Sequence, residues 1–253
     1  MIETRADFDL PQAVTFDCWS TLLSEEDWGL AHQRRIEALA EAAQQAGASP
    51  DEEKVEEAFR LAWGRHMQLW AEGVATGASH VAGWAMETLG VATDGRPLRA
   101  LCRHFEEASH SGRVVALDGA RETLDSLAER GVRMALICDT GLTPGRVVRQ
   151  HLGRLGLLSS LSAQLFSDEF GVTKPDTQIF AAALDALAVP ARYAVHVGDL
   201  RRTDVAGARA MGMRSVRIRA RHDDETDLPE ADHVVDSHAE LLSVLTGGLP
   251  GRE

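Results

Sequence analysis

The sequence predicts an α/β fold, because short apolar runs alternate with amphipathic helical segments over most of its second half. Five such runs follow residue 112, namely VRMALIC (132–138), AQLFS (163–167), AVHVG (194–198), RSVRI (214–218) and DHVVD (232–236). A sixth run, AVTFDC, begins at Ala13 and precedes a long stretch with helical periodicity alone. Strands that alternate with helices pair in parallel through right-handed crossovers. We therefore expect a Rossmann-like parallel-sheet core with an inserted all-helical domain.

The change of periodicity sets the expected domain boundaries. Residues 1–23 and 111–253 form the predicted α/β core, and residues 24–110 form the helical insertion after the first strand. Within the insertion, two long amphipathic segments are followed by two shorter ones, around Val81–Leu89 and Leu98–Glu107. We therefore expect the insertion to be a small bundle of four helices.

Helix-start signals mark the two long helices of the insertion. Ser24 and Asp27 have capping-box spacing before the first of them. Before the second, Ser49 is the predicted N-cap, Pro50 the first helical residue, and Glu52 stands three residues after the cap. These signals predict that the second helix begins at residue 50.

Composition restricts the classes of partner. The chain of 253 residues has a formal net charge of −13, so nucleic acid and anionic membrane surfaces would repel it. It contains no run of 18 apolar residues and no apolar signal region near its N-terminus, so we expect no membrane segment. Its three cysteines show neither a CxxC pair nor zinc-ligand spacing, which favours a reducing compartment. We expect a cytoplasmic protein whose partner is a small molecule.

Charged residues follow the predicted strands at their carboxyl ends, which is where parallel sheets bind ligands. Asp17 follows the first strand, Asp139 follows the second, and Asp199 and Asp204 follow the fourth in the segment GDLRRTD. Lys174, one of only two lysines, comes a few residues after the third strand. Each residue alone has a simple explanation as a turn or a helix cap. Their occurrence together at one edge of the sheet indicates a functional site.

These segments resemble the four motifs of the haloacid dehalogenase superfamily of hydrolases and phosphotransferases. Asp17–Thr21 is similar to its first motif, LICDTG to its second, GVTKPDTQIF to its third and HVGDLRRTDVAGARAMGM to its fourth. The third and fourth match most specifically, and the resemblance covers nearly the whole chain. The helical insertion resembles the cap domain of the subgroup whose cap lies between motifs one and two. The resemblance implies hydrolysis through an aspartyl intermediate.

For phosphoryl transfer, the resemblance implies that Asp17 is the nucleophile. Its carboxylate is ionised at pH 7 and needs no base to activate it. A Mg²⁺ ion held by Asp17 and Asp199, with Asp204 as a ligand or as outer support, would offset the repulsion between nucleophile and phosphate. The family pattern adds the backbone carbonyl of Trp19 to the metal shell. Lys174 would pair with the nucleophile and with the transferring phosphoryl oxygens.

The second motif departs from the family pattern, which generally has serine or threonine where the strand ends. Cys138 occupies that position here, and Asp139 and Thr140 follow it. We expect this segment to bind the phosphate, through the hydroxyl of Thr140 if the turn is shifted, or through a backbone N–H. Cys138 could equally be a small buried residue. Ser20 is a second departure, since glycine is more usual at that position.

Trp19 stands where phosphatases and phosphomutases of the superfamily typically carry an aspartate that protonates the leaving group and then activates water. An indole does neither, and the loss of general acid–base help costs roughly 3–5 kcal/mol of transition-state stabilisation. The leading expectation is a Mg²⁺-dependent phosphohydrolase that acts on a small phosphorylated metabolite. Its activity on ordinary phosphomonoesters is expected to be weak.

Three alternatives remain open. 2-Haloacid dehalogenases of the superfamily carry an aromatic residue, usually tyrosine, at the position of Trp19, but they need no metal, whereas GDLRRTD resembles a metal motif. A catalytically impaired binding module with an indole in its pocket is less consistent with the intact nucleophile, lysine and acidic pair. A phosphonate-cleaving enzyme would need a lysine in the cap as a Schiff base. Lys54 lies among carboxylates in DEEKVEE, on a helix face that is predicted to be exposed to solvent. The phosphonate-cleaving enzyme is therefore the least favoured of the three alternatives.

Overall fold

A six-stranded parallel sheet is the centre of the α/β fold. The computed structural model describes residues 10–91 and 95–248. Its strands are β1 (Ala13–Phe16), β2 (Leu23–Glu25), β3 (Val114–Ala116), β4 (Arg133–Cys138), β5 (Ala163–Phe166), β6 (Ala194–Gly198), β7 (Arg214–Ile218) and β8 (His233–Val235). Its α-helices are α1 (Trp28–Gln45), α2 (Glu52–Ala71), α3 (Ala78–Thr88), α4 (Gly95–Glu107), α5 (Ala120–Glu129), α6 (Gly145–Arg154), α7 (Ser167–Phe170), α8 (Thr177–Leu187), α9 (Ala206–Ala210) and α10 (His238–Thr246).

The order of the strands confirms the predicted Rossmann-like class. The sheet runs β5-β4-β1-β6-β7-β8, and each neighbouring pair is parallel. Chain order therefore reverses between β1 and β6, which makes their carboxyl ends the topological switch point where such sheets bind ligands. The five later strands begin and end within one residue of the predicted runs, while β1 ends two residues early, at Phe16.

The described residues divide into two compact units. The α/β unit contains the residues up to Ser24, Val115–Asp139 and those from His151 onward, and the helical unit contains Glu25–Val114 and Thr140–Gln150. The short strands β2 and β3, which the periodicity did not predict, pair with each other where the chain passes between the units. Residues 140–150 group with the helical unit, although the expected boundaries place them in the α/β core.

The core of the helical unit comes from the buried faces of its helices. Ile36 and Leu39 of α1 and Val55 and Phe59 of α2 belong to one buried cluster that also takes in side chains of α3 and α4. Leu142 joins the same cluster, which explains why the segment after β4 groups with these helices. Among the described residues, no helix combines the length and the apolar character needed to cross a bilayer.

The predicted helix starts were wrong by a few residues at both long helices. Asp27, rather than Ser24, caps α1, where its Oδ1 accepts a hydrogen bond from the backbone N–H of Leu30 at 3.3 Å. Asp51, rather than Ser49, caps α2, where its Oδ1 accepts from the N–H of Lys54 at 2.9 Å. Aspartate and serine cap helices about equally well, so the spacing alone did not choose between neighbouring candidates.

Candidate active site

Asp17 and Asp199 follow the two strands that flank the switch point. Asp17 comes directly after β1, and its backbone N–H donates to the carbonyl of Val197 at 2.8 Å, which extends the parallel pairing by one residue. Asp199 comes directly after Gly198, the last residue of β6. Both carboxylates are buried, at 8% and 6% residual exposure. The fold thus brings together two acids that are far apart in sequence.

Lys174 connects three of the predicted site residues. Its Nζ lies 2.5 Å from Asp17 Oδ1 and 2.7 Å from Asp204 Oδ1, and its backbone N–H donates to Asp139 Oδ1 at 3.0 Å. The lysine side chain is only 2% exposed. Burial alone would lower the pKa of this amine, but the carboxylates of Asp17, Asp204 and Asp139 hold it well above its ordinary value. The ammonium is therefore a fixed positive charge beside Asp17.

Asp204 is held by donors from its own unit. Its Oδ1 accepts from Lys174 Nζ and from His196 Nε2 at 3.0 Å, and its Oδ2 accepts from the backbone N–H of Leu200 at 3.0 Å. The close approach requires glycine at residue 198, because a Cβ there would lie 2.2 Å from the Asp204 Cγ. With both oxygens engaged by protein groups, this carboxylate is better suited to orienting Lys174 than to direct metal coordination.

The electrostatic balance of the cluster leaves an excess of negative charge. Burial, with the nearby carboxylates of Asp17 and Asp204, raises the pKa of Asp199 to about 8. Burial also raises the pKa of Asp17 to about 6, although Lys174 opposes the shift. Burial would raise the pKa of Asp204 as well, but the Lys174 ammonium and the His196 hydrogen bond hold it well below its ordinary value. Three carboxylates share the Lys174 ammonium, so a further cation would stabilise the ionised site.

The donor set fits the divalent cation that the motifs imply. One carboxylate oxygen each from Asp17, Asp199 and Asp204 lie within 4.8 Å of one another. Oxygen ligands on a buried acidic cluster are the kind that Mg²⁺ prefers, and it commonly takes only one or two carboxylates directly. Asp17 and Asp199 are thus the two carboxylates that would bind such a cation directly.

We expect Mg²⁺ affinity to increase with pH between 6 and 8. Asp199 has a pKa of about 8, so at pH 6 nearly every molecule carries a proton that a metal must displace, whereas at pH 8 about half of the molecules have already lost it. This decrease in the protonated fraction corresponds to a gain of about 50-fold in affinity. Isothermal titration in two buffers of different ionisation enthalpy measures both the affinity and the protons released. Equal affinities at pH 6 and 8 with no proton release would contradict the assignment of Asp199 as a ligand.

The second-motif segment separates into residues with different environments. Cys138 ends β4 with its side chain fully buried, and its Sγ lies 3.6 Å from the carbonyl oxygen of Asp139. A hydrogen bond with Cys18 and burial raise the pKa of the Cys138 thiol well above its ordinary value. This thiol faces protein rather than solvent, which does not suit the phosphate-binding role considered for it. Thr140, also buried, groups with the helical unit, whereas Asp139 of the α/β unit accepts from the backbone N–H of Lys174.

The first-motif turn accommodates both of its unusual residues. Trp19 is half-buried and its backbone forms a β-bridge with Leu23, so the chain folds back directly after the nucleophile. Ser20 has φ of 59°, in the left-handed region that costs a side-chain-bearing residue about 1–2 kcal/mol. Glycine avoids that cost, which gives a physical reason for the residue that the family pattern has there.

His196 is a functional candidate that the sequence did not identify. A histidine inside an apolar run is typical of a packed core residue, and this side chain is buried in β6. However, both ring nitrogens are hydrogen-bonded, Nδ1 to Thr15 Oγ1 at 2.8 Å and Nε2 to Asp204 at 3.0 Å. The available signal was a titratable residue three positions before Asp199 in a strand that is otherwise apolar.

Comparison with known proteins places this arrangement in a family. A family model for haloacid dehalogenase-like hydrolases matches residues 11–212. Haloacid dehalogenase-like hydrolase domain-containing protein 3 of Xenopus laevis is 30% identical over 204 residues, which cover 77% of this chain and 82% of the frog protein. Glyceraldehyde 3-phosphate phosphatase of Methanopyrus kandleri is 37% identical over 133 residues, which cover 49% of this chain and 53% of that enzyme.

Solved structures share the fold. The 2-haloacid dehalogenase of Pseudomonas syringae pv. Tomato DC3000 superposes with a TM-score of 0.64 at 26% identity, over 93% of this chain and 98% of that one. Dehalogenases and phosphatases therefore both occur among the similar proteins. The family model spans both the Asp17 and the Asp204 motifs, and the chain belongs to the haloacid dehalogenase-like hydrolases, with phosphatase-like relatives.

Proposed function

We propose that this protein is a Mg²⁺-dependent phosphohydrolase that acts on a small phosphorylated metabolite through an aspartyl-phosphate at Asp17. The observation that carries the proposal is the buried Lys174 ammonium, which lies between the carboxylates of Asp17 and Asp204 while Asp199 adds a third acid to the cluster. Such a cluster supplies both a positioned nucleophile and a place for a divalent cation. The phosphatase among the relatives supports chemistry at phosphorus.

In the proposed reaction, an Asp17 carboxylate oxygen forms a bond to phosphorus while the bond from phosphorus to the leaving-group oxygen breaks. The leaving group departs with the electron pair. Water then attacks phosphorus while the bond from phosphorus to the Asp17 oxygen breaks, which frees the carboxylate and releases inorganic phosphate that carries the two protons of the water. Lys174 keeps its proton and stabilises the transferring phosphoryl oxygens by charge and hydrogen bonding. Mg²⁺, when bound by Asp17 and Asp199, would lower the repulsion between two anions, and the Trp19 carbonyl would complete its shell.

Trp19 narrows the substrate class within this proposal. An indole cannot protonate a departing alkoxide, so the reaction favours substrates whose leaving group is already stable as an anion. Acyl phosphates and aryl phosphates have such leaving groups, whereas simple sugar phosphates do not. The proposed substrate is therefore an activated small phosphate, or one that provides its own proton donor.

A panel assay tests this function. Acetyl phosphate, p-nitrophenyl phosphate, glyceraldehyde 3-phosphate, phosphonoacetaldehyde and 2-chloropropionate are each incubated with MgCl₂ and, separately, with EDTA. We expect Mg²⁺-dependent phosphate release that is fastest from the acyl and aryl phosphates. Chloride release in EDTA would instead establish the dehalogenase alternative, which the aromatic residue at position 19 and the Pseudomonas syringae structure favour. If nothing turns over and Mg²⁺ does not bind, the protein is a binding module.

Trp19→Asp is expected to increase hydrolysis of alkyl phosphates. The new carboxylate supplies an acid–base group, and the gain is expected to reach about 10²-fold, the lower end of what such groups contribute, because its surroundings were not shaped for it. Trp19→Phe is the matched control, since it changes the size of the side chain without adding an acid. Initial rates on glyceraldehyde 3-phosphate and acetyl phosphate measure the effect. Equal rates for the two variants on the alkyl substrate would show that the missing acid is not what limits the reaction.

A further inference from the structure

A chain of hydrogen bonds passes through the middle of the α/β unit to the proposed nucleophile. Thr15 on β1 lies directly across from His196 on β6 in the parallel register, and Thr15 Oγ1 is 2.8 Å from His196 Nδ1. His196 Nε2 is 3.0 Å from Asp204 Oδ1, which also accepts from Lys174. Lys174 in turn reaches Asp17. Thr15, His196, Asp204 and Lys174 are each at most 2% exposed, so water does not compete with these bonds.

The hydrogen-bond partners of the His196 ring determine its tautomer. Asp204 is ionised and can only accept, so the proton on His196 must be on Nε2. The hydroxyl of Thr15 then donates to the unprotonated Nδ1, because two acceptors would not approach to 2.8 Å. Burial keeps the ring neutral by lowering its pKa. Asp204 therefore selects the Nε2–H tautomer, and the Thr15 hydroxyl stabilises it by donating to Nδ1.

The packing around the ring fixes its orientation. Phe180 of α8 meets the His196 ring edge-on, with centroids 4.9 Å apart and planes at 75°. Phe180 in turn occupies the space over Gly207, where a Cβ would lie 2.2 Å from its ring. The ring is thus held from one side by an aromatic contact and from both nitrogens by hydrogen bonds. A side chain needed only to fill space would require none of these polar partners.

We infer that His196, with its tautomer set by Asp204 and stabilised by Thr15, is a positioning residue that orients Asp204 and, through it, the Lys174 ammonium against Asp17. In the proposed reaction His196 would touch neither the phosphate nor the metal, because both of its ring nitrogens are engaged by Thr15 and Asp204. Its contribution is to hold Asp204 Oδ1 on the side of the site where Lys174 can bridge both carboxylates. The kinetic consequence of this inference rests on the proposed function, whereas the tautomer does not.

Two substitutions of His196 by amide side chains of different length distinguish a positioning role from a packing role. In His196→Gln the side-chain NH₂ stands near the original Nε2 and can still donate to Asp204, whereas in His196→Asn it stands near Nδ1 and cannot reach. With acetyl phosphate and Mg²⁺, we expect kcat to fall by about 10- to 100-fold in His196→Asn while KM stays nearly unchanged. Losses of this size are typical when a residue that orients an active-site side chain by a hydrogen bond is removed. In His196→Gln we expect kcat within about threefold of the natural protein. Equal losses of kcat in the two variants, in step with their melting temperatures, would overturn the inference.

The tautomer offers a test that is independent of turnover. Long-range ¹⁵N–¹H NMR of histidine-labelled protein distinguishes the two neutral tautomers, and His196→Gln identifies the signal. We expect the Nε2–H form in the natural protein, in Thr15→Ser and in Thr15→Val, because Asp204 can only accept and remains the partner of Nε2 in all three. An Nδ1–H or doubly protonated ring in the natural protein would overturn the inference. If the panel assay shows no turnover, the proposed function fails, and the tautomer alone then decides the inference.

Discussion

Asp17→Asn is expected to abolish hydrolysis, with a loss of at least about 10⁴-fold in kcat on acetyl phosphate, because removing a nucleophile removes the whole covalent route. Asparagine has nearly the same shape and can still accept from Lys174, but its amide oxygen is a poor nucleophile at phosphorus. The substitution therefore changes the chemistry with little change in packing.

Asp17→Asn is expected to keep or gain thermal stability although it loses activity. The pKa of Asp17 is raised to about 6 by burial and by Asp204, so the folded protein favours the neutral form of this group. Whatever stability this preference contributes is present below the unfolded pKa of Asp17 and is lost as the pH rises through 6. A neutral amide at residue 17 does not undergo this loss. We expect Asp17→Asn to melt at the same temperature as the natural protein at pH 8 without Mg²⁺, or at a higher one.

A nearby aspartate provides the control. Asp176 caps α8, where its Oδ1 accepts from the backbone N–H of Gln178 at 2.8 Å, and asparagine caps helices as well as aspartate does. Asp176→Asn makes the same chemical change two residues from Lys174 and should keep its activity. Mass spectrometry of the quenched natural protein should also show one added phosphoryl group on the peptide that contains Asp17. Activity that survives in Asp17→Asn would remove the nucleophile assignment.

The parts of the site that sequence could predict are those defined by strand ends. Asp17, Asp199 and the strands that precede them were recognisable because parallel strands present their carboxyl ends at one edge, so local patterns determine where the acids lie. Lys174 was recognisable because lysine is rare in this chain. Its contacts confirm that the segments after β1 and β6 meet the segment after β5.

The parts that sequence did not predict depend on register and on long-range packing. Thr15 and His196 are 181 residues apart and meet only because β1 and β6 pair with one particular alignment. Leu142 packs among the helices, so the segment after β4 leaves the unit that its strand belongs to, which no local pattern marks. Cys138 was ambiguous for a similar reason, because its partner Cys18 comes from another strand end. Local periodicity was therefore sufficient to locate the helices and strands. The contacts between side chains could be identified only from the three-dimensional structure.

Lys174→Met is expected to reduce both activity and stability. The ammonium is buried between Asp17 and Asp204, so methionine leaves two buried carboxylates without their cation. Breaking a buried ion pair on one side typically costs about 3–5 kcal/mol of folding free energy. Loss of its stabilisation of the phosphoryl oxygens should reduce kcat by about 10²- to 10³-fold. Thermal melting and initial rates on acetyl phosphate measure the two effects.

The chain contains its own control for this substitution, since Lys54 is the other lysine. Lys54 pairs with Asp51 at 3.0 Å, but the two side chains are 71% and 61% exposed, and exposed pairs contribute little to stability. Lys54→Met should therefore melt close to the natural protein and keep its activity. If both methionine variants behave alike, the buried ion pair is not what stabilises the site.

A double variant separates the role of the charge from simple misfolding. If Lys174→Met is unstable because Asp17 and Asp204 repel each other, then Asp17→Asn/Lys174→Met removes one of the two charges and should regain much of the lost stability while remaining inactive. Mg²⁺ should also stabilise Lys174→Met more than it stabilises the natural protein, because the metal partly replaces the missing positive charge. Neither recovery is expected if methionine merely packs poorly in the space of the lysine. Recovery by both routes would show that Lys174 compensates the negative charge on which the proposed metal and nucleophile chemistry depends.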